Sequence, residues 1–500
     1  MSQQGETHND DSKATAPPPA FVSPPELGQF ENLMNDMPRV LEYYAKAAEN
    51  AKQYAEKLSK SDPKFERIPD DRYYSRSDPA LANALKVGLD AICKGQVAVI
   101  TLAGGQASRL GADVPKGMYP LDLGFDKPIM NTLFYQQASQ LKALLNLANE
   151  AGFPNSSIGW IIMTSTSTDE RTRAFVNEVC NDVGFPSNNV YFIVQRDLPI
   201  YRLDGEFLLD SAEMMFAPNG NGGLYEALQP HLPRLRADGY KYFHAYCVDN
   251  ILCYVADPVF IGSSIMFNAD CAAKVVEKTD PEEKIGVIGM QPLHDDFENP
   301  KIADYIRQKA PYYVNKQIRV IEYSEMSSEQ KAARHPASER LMFRAGNIAN
   351  HFFTIDFLDV ACEAELPVHR AEKKVRHREA GSTEYTTSTG VKLERFIFDV
   401  FPLAANFFVL EVDRNEEFSP LKNSNDIGTD CAVTCKNSLI SRQKKWIELS
   451  GVDFNQLASL PEVASSISKE GIFLPTVAYF QSDLQDKALG RPSSLIGLFI

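Results

Sequence analysis

The chain is 500 residues long, 44% apolar and 10% aromatic, and its 51 Lys and Arg stand against 66 Asp and Glu, a formal charge of −15. That length exceeds one average core, so two or three domains are expected. The negative charge argues against a nucleic-acid or anionic-membrane binder and leaves any phosphate ligand to locally gathered cations.

Residues 1–25 are polar and proline-rich, and disorder is expected there. Neither a basic start followed by an apolar stretch nor a run of about 18 apolar residues is present, which with eight scattered cysteines and no CxxC pair reads as a reduced, cytoplasmic protein without a membrane span. Residues 26–90 read as an N-terminal helical cap, since Ala45 to Leu58 are strong helix formers and Ser61-Asp62-Pro63-Lys64 breaks the run.

From Val97 to Ala103 an apolar, Val- and Ile-rich run predicts a strand buried on both faces. It ends at Gly104 and Gly105, where bare backbone can approach an anion, and Arg109 and Lys116 follow beside Pro115. The pattern suggests a polyphosphate site. It is neither a P-loop, which needs Gly-Lys-Ser or Gly-Lys-Thr, nor a dinucleotide fingerprint, which needs glycine where Ala107 stands.

A helix capped by Asn131, with Phe134, Ala138, Leu141, Leu145 and Ala148 on one face and Gly152 past its end, begins an α/β alternation. Ile158 to Met163 reads as the next strand, Ser167 to Glu170 as a capping box, and Val190 to Val194 as a third strand ending at Gln195. Pro218 to Tyr225 is glycine-rich, either a mobile loop or a wall thinned to admit a ring or sugar. The run from Tyr240 ends at Asp249 and Asn250. The glycine loop, Gln195 and Asp249 thus each stand at the C-terminal end of a candidate parallel strand, where open α/β sheets bind ligands. Val391 to Phe401 reads as a strand with Lys392, Phe396 and Phe398 on one face. Residues 426–500 read as a smaller α+β domain whose short strands include Thr476 to Phe480 and the stretch from Leu495.

The stretch from Leu102 to Lys116 resembles the signature loop of the UTP-dependent sugar-1-phosphate uridylyltransferases, with Ala107 and Ser108 in place of Gly and Thr. Further blocks, Asn219 to Tyr225, Cys247 to Asn250, Val320 to Glu325, Ala345 to Phe353 and Phe418 to Asn423, resemble the eukaryotic UDP-N-acetylglucosamine pyrophosphorylases in particular. That resemblance implies a Rossmann-like nucleotidyltransferase domain over residues 91–425, with a mixed, mainly parallel sheet, between smaller N- and C-terminal domains. It implies that UTP and N-acetylglucosamine 1-phosphate give UDP-N-acetylglucosamine and pyrophosphate, with Mg²⁺ at Asp249. By the same resemblance Arg109 and Lys116 are the catalytic cations. Leu102, Ala103, Gly104, Gly105, Gln195, Gly220, Asp249 and Lys392 serve the nucleotide, while Asn221, Gly286, Glu322, Tyr323, Asn347, Phe396, Phe398 and Lys422 serve the sugar phosphate. A UTP–glucose-1-phosphate uridylyltransferase, a UDP-sugar-using glycosyltransferase and a non-catalytic nucleotide-sugar sensor are the alternatives.

Overall fold

The computed structural model describes residues 37–60, 65–292, 299–309, 312, 316–323, 325–489 and 491–498. The tail expected at 1–25 lies outside them. Contacts divide the chain between Glu49 and Asn50. The described part of the first unit is helical, within the helix Met37–Lys60, as the Ala, Lys and Glu content predicts.

The described residues of the second unit form sixteen strands. They are β1 (Tyr73–Ser75), β2 (Val97–Leu102), β3 (Ile158–Ser165), β4 (Val190–Gln195), β5 (Asp197–Pro199), β6 (Leu209–Asp210), β7 (Glu213–Met214) and β8 (Phe216–Pro218). After them come β9 (Tyr242–Cys247), β10 (Cys271–Glu277), β11 (Val287–Pro292), β12 (Lys316–Ile321), β13 (Ala345–Thr354), β14 (His369–Arg378), β15 (Tyr385–Glu394) and β16 (Phe407–Val412).

Ten strands form one sheet in the order β1-β16-β10-β13-β9-β2-β3-β4, with β11 attached to β13 and β12 to β11. Along that path only β13 runs against the rest. The sheet is therefore mixed and mainly parallel, as predicted. Its central strands β2 and β3 are buried on both faces because their apolar side chains alternate between two cores. Val97 and Val99 of β2 join the core that includes Phe134 and Trp160, while Ala98, Ile100 and Leu102 join the one that includes Phe243 and Phe353. Each such Val, Leu or Ile stabilises the fold by about 1.5–3 kcal/mol.

From β2 the chain steps outward to β3 and β4, then returns to the other side of β2 as β9. The crevice between the C-terminal ends of β2 and β9 is a topological switch point, where such sheets bind ligands. A separate arm, built from β5–β8 and the β14–β15 hairpin, closes over Ile200, Leu208, Ala217 and Val375.

Several local expectations are corrected. Thr132, not Asn131, caps the helix Leu133–Glu150; the Asn131 amide instead ties the preceding loop, accepting from Phe125 N and donating to Phe125 O and Lys127 O. The Ser167–Glu170 box does not form, because Thr168 precedes the helix Asp169–Val183 and its hydroxyl accepts from Ser165 N. The strand read over 391–401 stops at Glu394 and gives way to a 3₁₀ helix, Ile397–Leu403. Its first turn is fixed by Asp399, which accepts from Phe396 N at 2.7 Å. In the C-terminal stretch the runs read as strands are turns and a 3₁₀ helix, Ser494–Leu498. Their apolar residues plug the core instead of alternating: Tyr479 meets Tyr254, and Tyr254 stacks on Trp446. Among the described residues no helix is long and apolar enough to cross a membrane.

Candidate active site

Beyond Leu102, Ala103 N still donates to Met163 O, and the chain then turns away from the sheet. Gly104 is buried against Gln195 so closely that a Cβ would lie 2.1 Å from Gln195 Nε2. Its carbonyl accepts from Ser165 Oγ at 2.7 Å. Gly105 is exposed, faces open space, and accepts from Lys116 N at 3.0 Å. Among the described residues the Gly104 and Gly105 amides donate to nothing. Bare backbone without a protein acceptor can turn its amides toward an anion. Ala107 fits where the signature loop has glycine, because its φ is −84° and its methyl is buried in the core.

Lys116 opens a 3₁₀ turn, Lys116–Met118, whose entry is restricted by Pro115. Its ammonium lies 3.4 Å from Asp249 Oδ2, both side chains being mostly buried. The carbonyl of Asp249 accepts from Leu421 N, and Asn250 accepts from Ser419 N and donates to Glu417 O. These bonds stitch residues 417–421 to the end of β9 and bring Lys422 to the same crevice. Cys247 reports that meeting: burial pushes its thiol up to about 12, Asp249 adds to the rise, and Lys422 and Lys116 oppose it. Arg109 is exposed on the turn Ser108–Leu110 and forms no ion pair among the described residues. No cluster of three His, Cys, Asp or Glu suited to a metal occurs among the described residues.

Gln195 is 4% exposed, and its Oε1 has no hydrogen-bond partner among the described residues. Beside it Asn219 is fully buried with both amide atoms unpartnered. A Cβ on Gly223 would approach Gln195 Oε1 at 3.0 Å and Asn219 Cβ at 3.4 Å. A buried polar group without a partner is costly, so this side of the crevice holds amide groups able to bond a polar ligand. Asn219 was not singled out from sequence, although it begins the glycine-rich block.

The glycines of that block serve packing between loops. Gly220 has φ +67°, and a Cβ on it would lie 2.4 Å from Arg395 O; one on Gly222 would lie 2.6 Å from Arg395 C. The thin wall thus admits the backbone of residues 395 and 396, and the block is a buried 3₁₀ turn, Asn221–Gly223, rather than a loose loop. Asn221 Oδ1 accepts from Ile397 N at 2.9 Å, Gly222 N donates to Arg395 O, and Tyr225 Oη donates to Ile397 O. Phe396 and Phe398 stack at 5.1 Å next to this junction.

Across from them, Asn347 N donates to Gly286 O at 2.8 Å, and a Cβ on Gly286 would stand 3.0 Å from Glu322 Oε1. Burial raises the Glu322 carboxyl, Glu325 adds to the rise, and His369 opposes it. Tyr323 is 37% exposed with Lys331 over its ring, and Lys392 lies on β15 opposite Ala371. Among the described residues no hydrogen bond or ion pair joins these two or Arg109 to the other named residues. His369, which packs against Phe396 at 4.3 Å, had no signal in the spacing of the sequence.

The chain matches the sequence profile of the family described as UTP–glucose-1-phosphate uridylyltransferase over residues 43–292 and 311–463. The chain belongs to this family. Within it, the chain is 44% identical over 368 residues to "Probable UDP-N-acetylglucosamine pyrophosphorylase" of Caenorhabditis elegans, covering 72% of this chain and 70% of that protein. It is 39% identical over 413 residues to "UDP-N-acetylhexosamine pyrophosphorylase-like protein 1" of Xenopus tropicalis, covering 80% and 75%. Its fold is similar to the crystal structure of a UDP-N-acetylglucosamine pyrophosphorylase described as putative, from Entamoeba histolytica, with a TM-score of 0.68 at 28% identity, covering 84% of this chain and 96% of that one.

Proposed function

We propose that the chain is a UTP-dependent N-acetylglucosamine-1-phosphate uridylyltransferase, with residues 91–425 as its catalytic domain. The observation that carries this reading is the convergence on one crevice of free glycine-loop amides, the Lys116–Asp249 pair and Lys422, with an aromatic wall and a buried carboxyl alongside. The names of the relatives support the same substrate class.

In this mechanism a sugar-phosphate oxygen attacks the α-phosphorus of UTP, forming a new P–O bond as the bond to the bridging oxygen breaks and pyrophosphate leaves with the electron pair. The attacking oxygen is already anionic near pH 7, so no general base is required. The protein supplies alignment and positive charge. Glycine-loop amides hold the UTP phosphates, Lys116 and Arg109 meet charge developing on the α-phosphoryl and leaving groups, and Lys422 holds the sugar phosphate. Gln195 and Asn219 offer buried amides to the uracil edge, and Asn221, Glu322 and Asn347 meet the amino sugar. Asp249 would hold Mg²⁺, which neutralises phosphate charge when bound. A single, partly exposed carboxylate fits an ion that keeps water and phosphate oxygens as its other ligands. All eight cysteines are unpaired, which supports a cytoplasmic address.

Pyrophosphate release from UTP with N-acetylglucosamine 1-phosphate, N-acetylgalactosamine 1-phosphate and glucose 1-phosphate tests the reading. Turnover with the first and little with glucose 1-phosphate is expected. Preference for glucose 1-phosphate, or no turnover with any, overturns it. The hexosamine wording of the Xenopus relative favours a second, broader reading in which both amino sugars react.

A further inference from the structure

β15 ends at Glu394, which pairs with His369, the first residue of β14. Two residues later the chain folds back so that the Phe396 ring lies over the His369 imidazole at 4.3 Å. The same imidazole contacts Asp399 through Nε2, at 2.9 and 3.1 Å from its two oxygens. Asp399 in turn accepts from the backbone N of Phe396 at 2.7 Å. The loop closes on itself. His369 holds the Phe396 ring by contact and its main chain through Asp399, and Phe396 carries Phe398 at 5.1 Å on its far side.

This assembly is built rather than incidental. The Asp399 side chain is only 5% exposed and that of His369 21%, and a buried carboxylate is retained only where it is hydrogen-bonded and paired. It stands on the sugar side of the crevice. Glu322 senses both members of the pair, with His369 opposing the rise of its carboxyl and Asp399 adding to it. Asn221 is bonded to Ile397, the residue between the two phenylalanines.

We propose that His369, acting through Asp399, is a positioning residue that sets the depth of the Phe396–Phe398 wall and thereby the affinity for the sugar phosphate. The inference rests on the assigned reaction. An aromatic contact and a charge-assisted hydrogen bond acting on one ring define its size. Without them the wall is free to shift, and a misplaced wall weakens sugar binding in ground and transition states alike.

The test is steady-state kinetics with both substrates varied. His369→Ala is expected to raise KM for N-acetylglucosamine 1-phosphate roughly 5- to 20-fold, with kcat and KM for UTP within about twofold. His369→Gln, which keeps a donor for Asp399, and His369→Phe, which keeps a ring for Phe396, should each recover part of the loss. These two also serve if the alanine variant does not fold. An unmoved KM for the sugar phosphate in the folded variants overturns the inference, as does an equal rise in both KM values, the signature of a merely structural role. Wild-type turnover is measured alongside. Its absence overturns the assigned reaction and the inference with it, whereas normal wild-type turnover with an unmoved variant KM overturns the inference alone.

Discussion

Lys116 and Asp249 illustrate how a single pair serves both stability and chemistry. At 3.4 Å the ammonium offsets the carboxylate, so neither charge is isolated in a crevice of limited exposure. In the proposed reaction the same ammonium would face the α-phosphoryl group. Lys116→Ala should therefore lower kcat by roughly 10² to 10³, the scale for losing one preorganised donor, with a smaller change in KM. Near-normal kcat in folded protein would remove this lysine from the mechanism. Asp249→Asn should raise the Mg²⁺ concentration needed for half-maximal rate, since an amide keeps the shape but loses the charge; an unchanged metal titration would place the ion elsewhere. Gly104→Ala tests the base side. Its methyl must push Gln195 Nε2 from a position 2.1 Å away, which costs little in folding because a side-chain end can move. KM for UTP should rise roughly tenfold, the scale of one or two displaced hydrogen bonds, while the thermal midpoint barely changes. Residues such as Gln195 and Asp249 were legible in the sequence because apolar runs end at them. Asn219 and His369 were not, since their roles arise from partners more than twenty residues away in the chain.

At the scale of elements, legibility followed periodicity. β2, β3, β4 and β9 each carry a predominantly apolar run and were found, whereas the stretch after β15 alternates like a strand yet turns into a 3₁₀ helix. What decides there is a bond between Asp399 and Phe396 N that period-2 patterning does not encode. The adjacent strands β9 and β13 also place His244 and His351 in the core, each fully buried. His244 contacts Asn350, but neither ring nitrogen of His351 has a partner among the described residues. Burial lowers both imidazoles to about 3; Lys274 adds to the fall at His244, where Asn350 and Asp257 oppose it, and His244 adds to it at His351. The unfolded chain binds these protons near pH 6.5 and the native chain does not, so each contributes stability above that pH that is lost as the pH falls toward 3. Between pH 7 and 5 the stability of His351→Leu should consequently fall less steeply than that of the wild type, by up to about 1.4 kcal/mol per pH unit. Denaturant titrations at three pH values would show it. Parallel slopes would mean that His351 is protonated in the native state.

Across the whole molecule, four charged residues far apart in sequence meet in one buried cluster. Lys274 Nζ lies 2.6 Å from Asp257 and 2.5 Å from Glu417, and Arg76 lies 2.6 Å from Asp257 and 2.9 Å from Glu417. Burial alone would raise the Asp257 carboxyl, but Arg76 and Lys274 outweigh it and hold it well below the usual carboxylate range. Lys274→Met should destabilise the protein by about 3–5 kcal/mol, because it leaves buried carboxylates short of one cation. Urea unfolding measures this, and a loss below about 1 kcal/mol would mean that the cluster is wetter than its burial implies. Composition and strand runs announced an α/β fold. They could not announce the strand order, which depends on pairings such as β1 with β16 that no local pattern specifies.

That last pairing has a consequence for how the protein is made. Tyr73 pairs with Val409, so during synthesis at about 5–20 residues per second the segment holding β1 waits roughly 20–70 s for its neighbour to leave the ribosome. Until then β10, which lies between β16 and β13 in the finished sheet, has one edge bare, and a bare apolar edge templates association with other chains. Nascent chains of this protein should thus depend on chaperones late in elongation, and yields should improve when translation is slow relative to chaperone capture. Ribosome-bound chains stopped near residue 400 should be the most prone to aggregate, and chains long enough to expose Phe407–Val412 markedly less so.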